Sequence, residues 1–227
     1  MRTLISMTAA ATAAAIILGS GAAQAATLVQ NGDFATRDFT GWSFFTTANG
    51  TLGQSPNPQV SLFDVTGSGA QNAAEFDVGQ VIFKLFGTAE GGGISQAITT
   101  TAGTLNFSAD IAAFLGSTRN NELGIFSALL DGNVLDTVDL GPIEQPGTLR
   151  DSLNFSQTVT AGSHTLAIEV TRPFTSTFGV TPNEFVTNIT ASMAGAAVPE
   201  PTTWLLMLAG FGGVGGLLRR KRRLAAA

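Results

Sequence analysis

A single histidine, His164, stands in a chain of 227 residues that carries sixteen carboxylates and no cysteine. Imidazole titrates near neutrality, so a general base, a triad member or a nitrogen ligand would have to be this residue. It follows the turn Ala161-Gly162-Ser163 and opens a strand-like run, and it reads as a solvated histidine at a strand edge. The lack of cysteine excludes thiolate nucleophiles, thiolate-bound metals and disulfides. Asp131, Asp136 and Asp139 cluster in one stretch. Two carboxylates facing one cleft are what glycoside hydrolysis requires. Beside a hairpin turn these three read instead as solvated charge, so a carboxylate-based hydrolase ranks behind non-enzymatic readings. The loop "DGNVLD" is no EF-hand, because Leu135 occupies a position that needs an oxygen ligand. No nucleophile elbow, metal-spaced histidine pair or phosphate-cradling loop is present, and no catalytic residue is assigned. Sugar recognition commonly uses a Trp or Tyr face; tyrosine is absent and Trp42 is the one tryptophan outside the tail. Trp42 is therefore the single candidate ligand contact, weighed against a core role shared with Phe44.

The elements that must position these groups read as β-strands. In "TLNFSADIAAF" the residues Leu105, Phe107, Ala109, Ile111 and Ala113 alternate with polar ones, the period-two pattern of a half-buried strand. "HTLAIEV" repeats it with Leu166, Ile168 and Val170 inward, and "FVTNITASM" with Phe185, Thr187, Ile189, Ala191 and Met193 inward. "VSLFDV", "AEFDVGQVIFKLF", "GISQAITT", "ELGIFSALL" and "LNFSQTV" are further β-rich runs. Asp131-Gly132 predicts a tight hairpin. Asn49-Gly50, Gly67-Ser68-Gly69 and Gly91-Gly92-Gly93 read as turns that punctuate the first half. Residues 55–58 and 173–183, with their prolines, read as longer loops. About ten short strands without an amphipathic helix predict an all-β, antiparallel β-sandwich. Sixteen phenylalanines direct aromatic bulk into packing. Thr99-Thr100-Thr101 alternates faces and makes no flat threonine array of the kind ice binding would need.

The chain ends carry routing information. Arg2, an Ala-rich apolar stretch and the small-x-small site at Ala23 and Ala25 describe a secretory signal peptide over 1–25, a signal helix, with the mature chain starting at Ala26. Residues 203–218 contain no charge. They would reach about 24 Å as a helix, against about 30 Å of bilayer core, which makes a short transmembrane helix. Arg219, Arg220, Lys221, Arg222 and Arg223 follow as a cytoplasmic basic anchor. The export signal argues against a nucleic-acid role for this cluster. Between residues 26 and 198 five basic residues face fifteen acidic ones, a net charge of −10, which also disfavours DNA as a partner. The domain boundaries are then 1–25, a sandwich at 26–195 and a tail at 196–227.

Pro199-Glu200-Pro201, an apolar span opened by Trp204 and a basic end together resemble the PEP-CTERM sorting signal of Gram-negative bacteria, a tail also labelled the C-terminal motif of ice-binding proteins. The resemblance implies recognition by an exosortase-type membrane protease, with the domain first in the periplasm on an inner-membrane anchor and then at the cell surface or in the extracellular matrix. The opening "LVQNGDFATRDFTGW" is similar to that of galactose-binding-like jelly rolls, carbohydrate-binding modules among them, which often pair Asn-Gly-x-Phe with Gly-Trp some eight residues on. That family often holds a calcium between first and last strands, but Ala35 and Thr187 depart from its carboxylate positions. No cofactor is expected, with calcium left open. The leading expectation is a non-catalytic envelope or exopolysaccharide-matrix protein; the alternative is a carbohydrate-binding module for matrix polysaccharide.

Overall fold

The alternation seen at residues 104–114 has its expected physical consequence: Leu105, Phe107, Ala109, Ile111 and Ala113 all turn into one apolar core. In the computed structural model, which describes residues 27–83, 87–174 and 180–194, every regular element is a strand. In chain order they are β1 (Ser43–Thr46), β2 (Gly50–Thr51), β3 (Gln59–Phe63), β4 (Gln71–Phe76), β5 (Gly79–Gln80), β6 (Ala89–Thr100), β7 (Gly103–Leu115), β8 (Ile125–Leu130), β9 (Asn133–Asp139), β10 (Gly147–Val159), β11 (Gly162–Pro173) and β12 (Asn183–Met193). One sheet runs β1-β6-β11-β8-β9 and the other β10-β7-β12-β4-β3, with β2 and β5 forming a small two-stranded ladder. All pairings are antiparallel. From β6 onward most successive strands change sheet, the crossing pattern of a jelly roll.

The core lies between the two sheets. Ile94, Ile98, Phe126, Leu166, Ile168 and Val170 come from one side; Phe76, Leu105, Ile111, Leu153, Val186 and Ile189 come from the other. The segment 27–42 closes one edge. Phe34 is completely buried with φ 51°, in the left-handed region as Asn31 is at φ 53°, and its ring lies 5.7 Å from Phe39 and 6.2 Å from Trp42. Buried Gln96 of β6 ties this segment down, accepting from the Gln30 amide and donating to the Gln30 and Gly41 carbonyls. The Asp131-Gly132 hairpin forms as expected between β8 and β9, with φ of 52° and 79° at its two central residues.

Two expectations are overturned. Gly91-Gly92-Gly93 is no turn; it lies inside β6, between β1 and β11. A Cβ at Gly91 would stand 2.1 Å from the Val170 carbonyl oxygen, one at Gly92 would stand 2.2 Å from that of Phe45, and one at Gly93 would stand 1.9 Å from that of Ile168. The run therefore serves close approach of neighbouring backbones rather than chain reversal. The second correction concerns β12. Its register against β7 shifts between Thr187 and Thr190, with Asn188 at φ 50°, which marks a β-bulge. One extra residue inverts the alternation on its N-terminal side. Ile189 and Ala191 face the main core as expected, but there it is Val186, not Phe185 or Thr187, that joins them. Phe185 turns to the opposite face, where it stacks on Phe63 at 3.8 Å beside Val65, Ala73 and Ala112. The same inversion points Glu184 inward, completely buried.

Candidate functional site

Strand β11 carries two charged groups at opposite ends, His164 and Arg172, about 26 Å apart for eight residues of extended chain. Each lies beside a hollow of about 380 Å³. At the His164 end, the hairpin turn after β8 lies against the start of β11, with the Asp131 amide donating to the Thr165 carbonyl. Asp131 Oδ2 thereby meets His164 Nδ1 at 2.6 Å, and Asp131 Oδ1 accepts the Thr165 amide at 2.8 Å. His164 Nε2 faces the Thr160 carbonyl oxygen at 3.1 Å. Both ring nitrogens address acceptors that cannot donate, so the geometry is that of an imidazolium. His164 is thus no solvated edge residue: β11 is a central strand, and the side chain is 12 % exposed.

The bond to Asp131 raises the His164 pKa, helped by the Thr160 carbonyl, and the bond to His164 lowers that of Asp131, helped by the Thr165 amide. A raised histidine contributes stability below its ordinary value of 6.5 and loses it as pH rises through the raised value; a lowered carboxylate contributes above 3.8 and loses it as pH falls. The pair is therefore worth most between these limits. His164→Gln is expected to lower the melting temperature at about pH 5.5 and to lower it less at about pH 9. An equal loss at both pH values would remove the imidazolium assignment. The other two carboxylates of this stretch are spent locally: Asp136 Oδ2 accepts the Asn154 amide of β10 at 2.7 Å, and Asp139 Oδ1 accepts the Gly141 amide at 2.8 Å. These bonds, rather than a shared cleft, occupy them.

At the other end the inward row Leu166, Ile168, Val170 continues to Arg172, 3 % exposed. Its Nε donates to the Val78 carbonyl at 3.1 Å and its Nη1 to Asn120 Oδ1 at 2.8 Å. The fully buried Glu184 lies behind, with Oε2 accepting the Val78 amide at 3.0 Å and Oε1 without a hydrogen-bond partner. Burial pushes the Glu184 carboxyl well above the usual range; the Arg172 charge opposes this without cancelling it. Asp77, Gln80, Asn120, Arg172, Phe83 and Phe174 are among the side chains that line the cleft in front. Asp77 Oδ1 is shielded from solvent and has no hydrogen-bond partner.

The small β2–β5 ladder builds this cleft. Gly50 pairs with Gln80 and Thr51 with Gly79. Its seat on β6 depends on glycine: a Cβ on Gly50 would meet the Gly91 carbonyl oxygen at 1.9 Å, and one on Gly92 would press the Leu52 side chain at 3.0 Å. The run "AEFDVGQVIFKLF" is accordingly not one strand. It breaks after β4, re-pairs as β5 with another partner, and then exposes Val81, Ile82 and Phe83 in succession. Asn49 holds this apolar lip, its Oδ1 accepting the Ile82 amide and its Nδ2 donating to the Ile82 carbonyl. The Phe83 ring stands 4.9 Å from that of Phe174.

The candidate ligand contact Trp42 is not at a surface. It is 8 % exposed, and its indole N–H donates to the Asn31 carbonyl at 3.2 Å. Its expected companion Phe44 is instead half exposed on β1, packed edge-on against Phe39. The residues at the calcium position do not fit the ion. The Thr187 hydroxyl is committed to the Asn72 carbonyl, Ala35 brings no oxygen from its side chain, and the Asp38 and Thr40 carbonyls converge on the Asn31 amide nitrogen. Among the described residues no group of three or more His, Cys, Asp or Glu side chains is arranged for a metal. The signal site at Ala23, Ala25 and Ala26, the Pro199-Glu200-Pro201 motif, the span 203–218 and the basic residues 219–223 lie outside the described residues. Among the described residues no helix is long and apolar enough to cross a membrane.

Sequence reasoning missed the Arg172 cleft, although one signal was available: the period two of "HTLAIEV", carried two residues further, lands a charge on the inner face. Glu184 had no such signal, because the bulge at Asn188 hid its parity.

Residues 197–223 match the model of the PEP-CTERM protein-sorting motif, so the chain carries a sorting signal of exported proteins at its C-terminal end. No curated protein matches the sequence. Among solved structures, the described fold is similar to TmCBM61 in complex with β-1,4-galactotriose, at 11 % identity and a TM-score of 0.47, covering 74 % of this chain and 99 % of that one. It is similar to a xylan-binding domain from CBM 22, at 16 % identity and a TM-score of 0.38, covering 70 % and 90 %. A Stig cyclase from Fischerella sp. TAU is similar at 15 % identity and a TM-score of 0.44, covering 76 % and 100 %.

Proposed function

We propose that this chain is an exported envelope or matrix protein, sorted through its C-terminal motif, whose β-sandwich is a non-catalytic glycan-binding module with its ligand in the Arg172 cleft. The observation that carries the binding role is the cleft itself. A hollow of about 380 Å³ offers a carboxylate, a guanidinium and the side-chain amides of Gln54, Gln80 and Asn120 beside two phenylalanine rings. A pyranose ring presents hydroxyls around its rim and an apolar C–H face, and such a mixed wall complements both. The rings supply aromatic surface without tyrosine or an exposed tryptophan. Two-carboxylate hydrolysis has little to work with here. Asp77 lines the cleft, whereas Glu184 has no exposed surface and is held by the Val78 amide. Among the described lining residues there is no serine, cysteine or histidine.

For routing, the reading adds cleavage of a signal peptide before Ala26, an inner-membrane anchor at 203–223 with the sandwich in the periplasm, and exosortase-type processing near Pro199-Glu200-Pro201. The matched sorting motif supports it. Two measurements on the protein from its native host test the proposal. Intact mass is expected to give a chain that begins at Ala26 and ends near the Pro-Glu-Pro. A chain retaining Met1 and found in the cytoplasm would defeat the export reading. Affinity electrophoresis through gels cast with plant and bacterial polysaccharides is expected to retard the protein in at least one. No retardation in any of them would defeat the binding reading.

A further inference from the structure

We infer that the ligand of this cleft carries a carboxylate, as the uronic acid units of an acidic polysaccharide do, and that Arg172 receives it. The inference rests on the reading of the cleft as a glycan site and narrows its ligand class.

Arg172 is a cation held almost out of water, and both of its described hydrogen bonds go to neutral groups, the Val78 carbonyl and the Asn120 amide oxygen. Among the described residues the ion pairs are Arg150 with Asp64 and His164 with Asp131; no carboxylate oxygen lies within 4 Å of the Arg172 guanidinium. Glu184, whose charge would otherwise balance it, is pushed by burial toward its neutral form. A buried charge without an ionic partner is costly, and it persists where it has a further use. The side of the guanidinium that carries Nη2 faces Gly79, and a Cβ on Gly79 would stand 3.2 Å from that nitrogen. The absence of a side chain at Gly79 leaves Nη2, the nitrogen with no described hydrogen bond, room to donate where Gly79 and Arg172 line the same cleft. A carboxylate oxygen accepts a charge-assisted hydrogen bond from such a nitrogen.

The neighbouring groups narrow the ligand further. Asp77 Oδ1, buried without a partner, requires a donor such as a sugar hydroxyl. Asp77 lines the same cleft, so an anion denser in charge than a uronic acid polymer would meet more repulsion there. The chain between residues 26 and 198 has a net charge of −10, so it has no general attraction for polyanions. Retention of an acidic polymer would therefore report a local site.

The test uses the mature protein extracted from host envelopes and measures affinity for four polymers: polygalacturonate, the same polymer with its carboxyls reduced to alcohols, a neutral galactan and dextran sulfate. Polygalacturonate is expected to bind at least tenfold tighter than its reduced form, with the difference shrinking as salt rises. Because Arg172 substitutions endanger folding, the diagnostic variant is Gly79→Ala. Gly79 lies outside the left-handed region and a Cβ there would meet a single side-chain atom at 3.2 Å, so the melting temperature should fall far less than for a substitution of Arg172 while the preference for polygalacturonate falls about tenfold. Equal binding of the reduced and acidic polymers would overturn the carboxylate assignment and leave the glycan reading standing. A preference for dextran sulfate would overturn it as well. Binding to none of the four would overturn the carboxylate assignment, while the glycan reading stands or falls with the polysaccharide gels.

Discussion

Gly93→Ala is expected to yield a chain that loses about 3 kcal/mol or more of folding stability, a large share of what an ordinary domain has. The reason is backbone geometry, not glycine flexibility. A Cβ at residue 93 would stand 1.9 Å from the Ile168 carbonyl oxygen and 2.8 Å from the Ile168 carbonyl carbon. Neither atom can swing aside as a side chain would, because Ile168 belongs to β11, the strand that pairs with both β6 and β8. Relief requires β6 and β11 to separate, and both strands supply the main core through Ile94, Ile98, Leu166 and Ile168. Chemical denaturation of wild type and variant would measure the loss. Gly162→Ala is the control for local effects: nothing lies within 4 Å of its Cβ position, so only its φ of 148° resists the change. A loss at residue 93 no larger than that at residue 162 would show that the strands are not in such close contact.

Glu184→Gln is expected to make the protein more stable as pH rises. The carboxyl is raised above its ordinary value of 4.5, first by burial, with Arg172 opposing and Asp77 assisting. Its contribution is therefore fully present below pH 4.5 and is lost as pH rises through the raised value. Across that interval ionisation disfavours the folded wild type by up to tenfold in the folding constant for each pH unit. Glutamine is the neutral isostere of the protonated acid and can still accept the Val78 amide. The two chains should be about equally stable near pH 4, and the variant should gain steadily toward pH 8, as read from urea midpoints. A variant less stable than wild type at pH 8 would mean that Glu184 is ionised in the fold and paired with Arg172. The anion site inferred above would then already be filled from within.

The limits of sequence reading are visible in single residues. The Leu105–Ala113 alternation was legible because β7 is central and regular, so period two maps directly onto faces. The Asp131-Gly132 turn was legible because its conformation demands those residue types. The glycine run at 91–93 was misread because the same residue serves turns and close strand contact, and local sequence does not distinguish them. The parity of β12 was misread because a bulge shifts it by one residue, and only pairing with β7 reveals the shift. That error moved Phe185 inward in the reading and so concealed the inward position of Glu184 behind Val78. His164 was read as solvated because its partner Asp131 lies 33 residues away, on a turn that only sheet pairing brings near.

By itself the sequence determined the all-β class, the sandwich, the sorting tail and the strong acidity between residues 26 and 198, since composition, periodicity and short contiguous motifs carry all of these. Tertiary structure alone decided where the chemistry collects. Asp77 and Gln80, Asn120, and Arg172 come from three separate parts of the chain and meet in one cleft beside the two-stranded ladder that settles on the glycine run of β6. Recognition in a cleft depends on distances between such groups, and those distances are products of folding, absent from any local stretch of residues.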